Sequence, residues 1–377
     1  MRAKLGPIGV VFREGRVIGK RTESWFAMNG GEGVYSYTKN SSFQREAASI
    51  VQEMIDEEIA NKLDVKTLIS STSNTFRLVD MGCSVGPNTF IAVQNVIDAM
   101  KKKYQSQCQS HGTISQMLDF QVFFNDQASN DFNLLFASLP PERPYFAAGV
   151  PGSFHRRLFP SSSLHFAYSS IAIHWLSRVP KQVLDKNCPA WNKGRIHYTN
   201  APREVVNAYE AQFAADMDAF FNARAKELLV GGMMVLIVST VQDGMPQKAF
   251  NGRCEVLGSC LVDMANVGLI TEDQVDAFNL PMYSPSPIEM TKAIERNGCF
   301  SIERMVLNKP TSWIKNPFAM QMHFRAGTEG LIAKHFGTKI IDELFDRFLK
   351  KIKEFYDNLE SNYEQGGLLF VSLKRKK

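Results

Sequence analysis

Seven short apolar runs rich in β-branched and aromatic residues, separated by longer stretches of helical periodicity, predict an α/β fold. The expected form is an open, Rossmann-like sheet of seven strands with helices on both faces and a mainly helical cap. Two further features support it. A glycine-containing loop follows the first run directly, and a late stretch replaces strand rhythm with helical segments punctuated by Pro281, Pro285 and Pro287.

The expected strands are 76–80, 120–124, 145–150, 164–169, 233–238, 301–307 and 368–373. Between them lie expected helices at 43–63, 88–105, 130–138, 204–228 and 333–359. The first places Ala47, Ala48, Val51, Ile55, Ile59 and Leu63 at three- and four-residue steps, which makes one buried face. Gly231-Gly232, after Leu228 and Leu229, reads as a helix stop leading directly into a strand. The chain divides accordingly. Residues 1–27 form an extension, 28–245 the α/β core, 246–295 and 310–350 a helical cap above the strand ends, and 296–309 with 351–377 a return to the sheet.

Bulk properties exclude several classes. A hydrophobic content of 44% with 21% charged residues is that of a globular protein, and no stretch approaches eighteen uninterrupted apolar residues, so no membrane span is expected. The net charge of +5 is small for 377 residues, and only Lys374-Arg375-Lys376-Lys377 clusters, which argues against a nucleic-acid partner. The six cysteines, at 83, 108, 188, 254, 260 and 299, have neither zinc-ligand spacing nor a disulfide pattern; a reducing, cytoplasmic location follows. The run Ile8-Gly9-Val10-Val11-Phe12 is too short and too soon interrupted by charge for a secretory signal, and acidic residues argue against a transit peptide.

The loop Asp80-Met81-Gly82-Cys83-Ser84-Val85-Gly86-Pro87-Asn88 carries the first chemistry. A buried strand ends at an acid, two glycines permit a sharp turn, and Pro87 sits near the start of the next helix, where its missing N–H costs little. A dinucleotide site calls for GxGxxG and amides aimed at a pyrophosphate, which Asp80 would repel; a cationic sulfonium with an amino-acid tail suits the acid better. A plain strand-to-helix turn capped by Asp80 is the alternative. A second acid, Asp126 at the end of Phe123-Phe124-Asn125-Asp126, changes the balance, because a carboxylate there can accept both hydroxyls of a ribose. Two strand-end acids on one sheet edge describe a nucleoside cofactor.

From Met28 to about Arg375 the chain resembles the plant SABATH methyltransferases. The resemblance rests on Met28-Asn29-Gly30-Gly31 with Tyr35-Ser36-Tyr37 and Asn40-Ser41, the Asp80 loop, Asn125-Asp126 with Asn130-Asp131-Phe132-Asn133, Gly149-Val150-Pro151-Gly152-Ser153-Phe154, Arg157-Leu158-Phe159-Pro160, Ser169-Ser170 with His174-Trp175-Leu176-Ser177, and Asn192-Lys193-Gly194. It implies the seven-stranded methyltransferase sheet, S-adenosylmethionine as methyl donor, and a homodimer. It further implies that Tyr37, Cys83, Asn88, Asp126, Ser153 and Phe154 line the cofactor site with Asp80 supporting the amino-acid end. Gln127, where Leu is common, and Ser170 join that set. The similarity is nearest to the branch with loganate- and farnesoate-methylating members.

On the acceptor side the resemblance matches Gln44 and Trp175 to the positions that grip a substrate carboxylate through side-chain N–H groups. His174 stands where salicylate-type members often carry Met, and Ile171 replaces a frequent Tyr, making the wall more apolar. Cys254, Tyr283 and Phe324 are further pocket positions, and Cys254 in place of a bulky aromatic leaves room for a substrate larger than one benzene ring. Asn192, Asp276, Phe278 and Asn279 match positions at which some members are assigned a magnesium ion, although methyl displacement does not need one.

The function expected is methyl transfer to the carboxylate of a small or medium plant acid (iridoid, terpenoid or aromatic), giving a methyl ester. An N-methyltransferase acting on a xanthine-like ring, with His174 orienting or deprotonating the N–H, is the alternative; retention of Gln44 weighs against it. A non-catalytic acid-binding protein is a third reading, opposed by intact Asp80, Asp126 and Ser153-Phe154.

Overall fold

The computed structural model describes residues 27–69, 74–112, 117–243, 252–308, 316–354 and 366–377; most of the N-terminal extension lies outside them. The seven expected strands form one sheet: β1 (Thr75–Met81), β2 (Asp119–Asp126), β3 (Phe146–Pro151), β4 (Leu164–Ser170), β5 (Leu228–Val241), β6 (Phe300–Asn308) and β7 (Gly366–Arg375). Their spatial order is β3-β2-β1-β4-β5-β7-β6, parallel except for β7, which pairs antiparallel with both β5 and β6. The chain runs outward from β1 to β3 and then returns to β4. Neighbouring connections therefore leave on opposite sides at β1 and β4, opening a crevice at the carboxyl ends of those strands.

Alternate residues of the central strands enter two separate cores. In β5, Met233, Val235 and Ile237 face one side, and Met234, Leu236 and Val238 the other. A strand buried on both faces needs continuous apolar sequence, which is what β5 has. The first core is covered by Ser42–Ile50, Gln52–Lys62 and Pro87–Ser110, the second by Arg203–Glu227 and Pro287–Asn297. A third core lies among Gly252–Asn266, Glu272–Asp276, Pro317–Phe336 and Ile341–Glu354, away from the sheet.

Three local expectations are corrected. The helix expected over 43–63 is two helices, interrupted at Val51, and nothing in the local sequence marks the break. The helix expected over 333–359 is likewise divided, at Gly337 with φ 87°, a conformation that glycine adopts without strain; positions 355–359 lie outside the described residues. Gly231-Gly232 is not a helix stop. The helix ends at Glu227 and β5 begins at Leu228, so the glycines sit within β5 where its register with β4 shifts between Leu164 and Phe166. Gly231 takes φ 83°, and a Cβ on Gly232 would lie 2.9 Å from the His165 carbonyl oxygen; the pair makes a bulge.

One buried ion pair supports the turn after β3. Arg224 and Glu227 are both fully buried and 2.6 Å apart. Arg224 also donates to the carbonyls of Phe154 (2.9 Å) and Arg156 (3.0 Å), while Glu227 accepts from the amides of Leu158 (2.5 Å) and Phe159 (3.0 Å). Removing one partner strands the other charge. Arg224→Met is expected to destabilise the protein by about 3–5 kcal/mol in denaturant unfolding. A loss under about 1 kcal/mol would show that the pair does not hold this turn.

Candidate active site

The parallel register sets Asp80 beside Phe124 and Met81 beside Asn125, so β1 and β2 end side by side. Asn125 is fully buried and joins three strand ends. Its backbone carbonyl accepts from the amides of Gly82 (2.8 Å) and Cys83 (3.1 Å), and its Nδ2 donates to the carbonyls of Val150 (2.7 Å) and Gly152 (2.9 Å). The loop after β1 then turns through Gly82 at φ 81°; a Cβ there would lie 2.3 Å from that of Ala172, so only glycine fits. Pro87 begins the next helix.

Outside these strand ends lies a cleft with two continuous parts. Asp80, Cys83, Asn88, Thr89, Tyr168 and Ser170 line one part. Ser84, Asp126, Gln127, Phe154, Ile171, His174 and Trp175 line the other, while Tyr37, Gln44 and Gly82 belong to both. Asn88 anchors the wall that carries Gln44: its Nδ2 donates to the Ser41 carbonyl and hydroxyl oxygens, each at 2.9 Å, and its Oδ1 accepts from Arg45 Nε at 3.0 Å. Gln44 Oε1 is buried without a hydrogen-bond partner. In the same cleft, Trp175 bridges to Met282, and the His174 carbonyl accepts from the Tyr283 amide at 2.9 Å.

The two acids are held in different ways. Asp126 accepts from the amides of Ser84 (2.8 Å) and Gln127 (2.7 Å), which aim its carboxylate across the loop; burial nevertheless pushes it up to about 6. Asp80 accepts from the Thr89 hydroxyl, and burial pushes it up to about 7, the Thr89 bond opposing the shift and the charge of Asp126 adding to it. Burial and the same two carboxylates raise the Tyr37 phenol and the Cys83 thiol, so both stay neutral. A cationic ligand would stabilise both acids in their ionised form.

Not every expected residue reaches the cleft. Cys254 is buried in the helical core, its thiol pushed by burial up to about 12, and Tyr283 is buried among Tyr198 and Phe213 with its hydroxyl donating to Glu289 at 2.5 Å. Ser153 lies in the turn before Phe154, where its Oγ accepts from the His155 amide at 3.3 Å. Phe324 does line the cleft. Arg253, His323, Met282 and Thr328 line it as well, and the sequence reading passed over all four. Arg253 and His323 each immediately precede a residue that was chosen. One step along a helix turns a side chain by about 100°, so the neighbour faced the cleft instead of Cys254.

Asn192, Asp276, Phe278 and Asn279 are brought together, but as a hydrogen-bonded knot. Asn192 Nδ2 donates to Asn279 Oδ1 (2.7 Å), which lies 3.3 Å from the Tyr209 hydroxyl that donates to it, and Asp276 Oδ1 accepts from the Gly194 amide (2.7 Å). Asn192 Oδ1 is buried without a partner, but that oxygen and one carboxylate whose Oδ1 is already engaged supply too few oxygens for a magnesium ion that demands an octahedron of them. Among the described residues no cluster of three or more His, Cys, Asp or Glu could hold a metal.

The sheet order, with acids ending the adjacent strands β1 and β2 beside a glycine turn, defines the α/β methyltransferase class. More particularly, the chain belongs to the SAM dependent carboxyl methyltransferase family, whose profile matches residues 23–376. It is 42% identical to loganic acid O-methyltransferase of Catharanthus roseus, over 93% of this chain and 94% of that one. Farnesoic acid carboxyl-O-methyltransferase of Arabidopsis thaliana is 39% identical over 87% and 93%. The solved structure of loganic acid methyltransferase with SAH superposes with a TM-score of 0.87 at 40% identity, covering 93% of this chain and 99% of that chain. Among the described residues no helix is long and apolar enough to cross a membrane.

The raised Asp80 carboxyl has a consequence for the ligand-free protein. Its folded-state value of about 7 lies above an unfolded value near 3.8, so the native state holds the extra proton and this contribution to stability is full below about pH 4 and lost as pH rises to about 7. Asp80→Asn abolishes the titration. Ligand-free protein is expected to lose stability relative to that variant, by on the order of 2–4 kcal/mol, as pH rises from about 4 to about 7. Parallel stability curves across that window would contradict the assignment.

Proposed function

We propose that the protein transfers the methyl group of S-adenosylmethionine to the carboxylate of a small or medium plant acid, iridoid, terpenoid or aromatic, and releases the methyl ester. The observation that carries this reading is that Gln44 and Trp175 line one cleft together with Gly82. In the proposed arrangement Asp80 faces the amino-acid end of the cofactor, with Asn88 and Ser170 beside it. Asp126 takes the ribose hydroxyls, and Tyr37, Cys83, Gln127, Ser153 and Phe154 complete the enclosure.

The acceptor needs no base, since a carboxylate is ionised at neutral pH. The carboxylate oxygen forms a bond to the methyl carbon as the carbon–sulfur bond breaks, and the electron pair stays on sulfur. A cation and an anion thereby become two neutral groups. Neutral donors such as the Gln44 amide and the Trp175 indole orient the acceptor without stabilising its ground-state charge as strongly as a cation would. Alignment of this kind can contribute roughly 7–11 kcal/mol. Phe43, Ile171, Met282 and Phe324 supply apolar wall.

His174 is pushed down to about 4, by burial first and then by the charges of Arg253 and His323, so it is neutral at physiological pH and a weak base. That disfavours its use to deprotonate a ring N–H. The helices above the strand ends are proposed as the cap over the acceptor. A homodimer in the cytoplasm is proposed on the family resemblance, with the described cysteines all free in keeping with a reducing compartment. Magnesium has no step in this reaction.

The test is a panel of plant acids and xanthines incubated with labelled methyl donor. Methylation of carboxylic acids is expected, with Gln44→Ala lowering kcat for the best acid by about 100-fold. Methylation of xanthines with none of any carboxylate would overturn the proposal.

A further inference from the structure

The helix Pro317–Phe336 brings to the cleft a hydrogen-bond acceptor that methyl displacement itself does not use. His323, from that helix, lines the cleft together with Gln44, Trp175 and Phe324. Its Nδ1 meets the Asn40 carbonyl at 3.1 Å. A carbonyl oxygen only accepts, so Nδ1 carries the proton, and in a neutral imidazole Nε2 is left with a lone pair. The ring is neutral at physiological pH, because burial first and then the charge of Arg253 hold it down to about 4. Among the described residues no donor meets Nε2, and this nitrogen is not sealed from solvent.

The ring is held in this one state. The other tautomer would set the Nδ1 lone pair against the Asn40 carbonyl oxygen, and Asn40 is itself tied by its Nδ2 to the carbonyls of Val34 and Ser36, each at 2.8 Å. Phe43 packs edge-on against the ring, with centroids 5.7 Å apart and planes at 72°. Phe43 immediately precedes Gln44, so the ring stands beside the segment that carries the proposed acceptor-orienting amide. A fixed acceptor nitrogen among Phe43, Met282 and Phe324 selects for a ligand group that donates to it. The same apolar surroundings make a charged ammonium donor costly, whereas a neutral hydroxyl can rotate its proton onto the nitrogen.

Resting on the carboxyl-methylating function proposed above, we infer that His323 is a specificity-determining residue, its Nε2 accepting a hydrogen bond from a hydroxyl that the acid carries away from its reacting carboxylate. The acceptor is therefore a hydroxylated acid. One group reacts and the other only binds. The carboxylate oxygen forms the bond to the methyl carbon, while the hydroxyl keeps its proton, since a ring protonated only below about pH 4 is too weak a base to take one from an alcohol. An acid without the hydroxyl leaves Nε2 unpaired in the complex, and an ether in its place sets oxygen lone pairs against the nitrogen lone pair.

The experiment takes ω-hydroxyalkanoates from hydroxyhexanoate to hydroxydecanoate and the ring-hydroxylated cinnamates, each beside its methyl ether and its unsubstituted parent, in the full chain and in His323→Phe and His323→Gln. Circular dichroism melting confirms that each variant is folded. For the unaltered protein, kcat/KM for the best hydroxy acid is expected to exceed that for its parent and for its ether by about 10-fold or more. His323→Phe keeps an aromatic ring and loses the lone pair. It should lower kcat/KM for the hydroxy acid at least about 10-fold more than for the parent, and His323→Gln, whose side-chain carbonyl accepts, should restore part of the preference. An ether used as well as the hydroxy acid, no preference for hydroxylated acids, or equal losses on hydroxy acid and parent in His323→Phe would each overturn the inference while leaving carboxyl methylation intact. Methylation of no acid at all would instead remove the function on which it rests.

Discussion

Asn125 makes four hydrogen bonds at the one place where three parallel strands end, and the cleft takes its shape from them. Without its carbonyl, the turn through Gly82 and Cys83 has no fixed point against β2. Without its carboxamide, the carbonyls of Val150 and Gly152 would be left unpaired and the segment leading to Phe154 would lose its anchor. The carboxylate of Asp126 is placed by consequence, because the Ser84 amide that it accepts belongs to the turn that Asn125 holds. A buried carboxamide has no alternative partners in water to dilute this arrangement.

Around that tie the cleft is divided by charge. Asp80 and Asp126 end adjacent strands, where burial raises the proton affinity of both and the charge of Asp126 adds to that of Asp80. Arg253, His174 and His323 line the cleft as well, and burial first, then the charge of Arg253, holds both histidines down to about 4. Between them the walls bear neutral donors and aromatic or aliphatic side chains.

Much of this was legible in the sequence, because strands buried on both faces leave continuous apolar runs and because their terminal acids stand out against those runs. Asp80, Asp126 and the Gly82 turn were readable for that reason. The break at Val51 was not, since it alters no residue type, and Gly231-Gly232 carried the same composition that a helix stop would. One position of the acceptor wall was read one residue out of phase. Cys254 faces a core and Arg253 the cleft, a difference set by how Gly252–Asn266 is rotated against Pro317–Phe336 and Ile341–Glu354. Helix rotation of that kind depends on packing among distant segments, which no local pattern encodes.

The tie at Asn125 can be examined by itself. Calorimetric titration of S-adenosylhomocysteine into Asn125→Leu, a change of similar volume that removes the carboxamide donor, measures whether the joined strand ends create the cleft proposed for the cofactor. The account predicts a folded sheet by circular dichroism with affinity reduced by about 100-fold or more, the effect of leaving two buried carbonyls unpaired. Affinity within about threefold of the unaltered protein would contradict it.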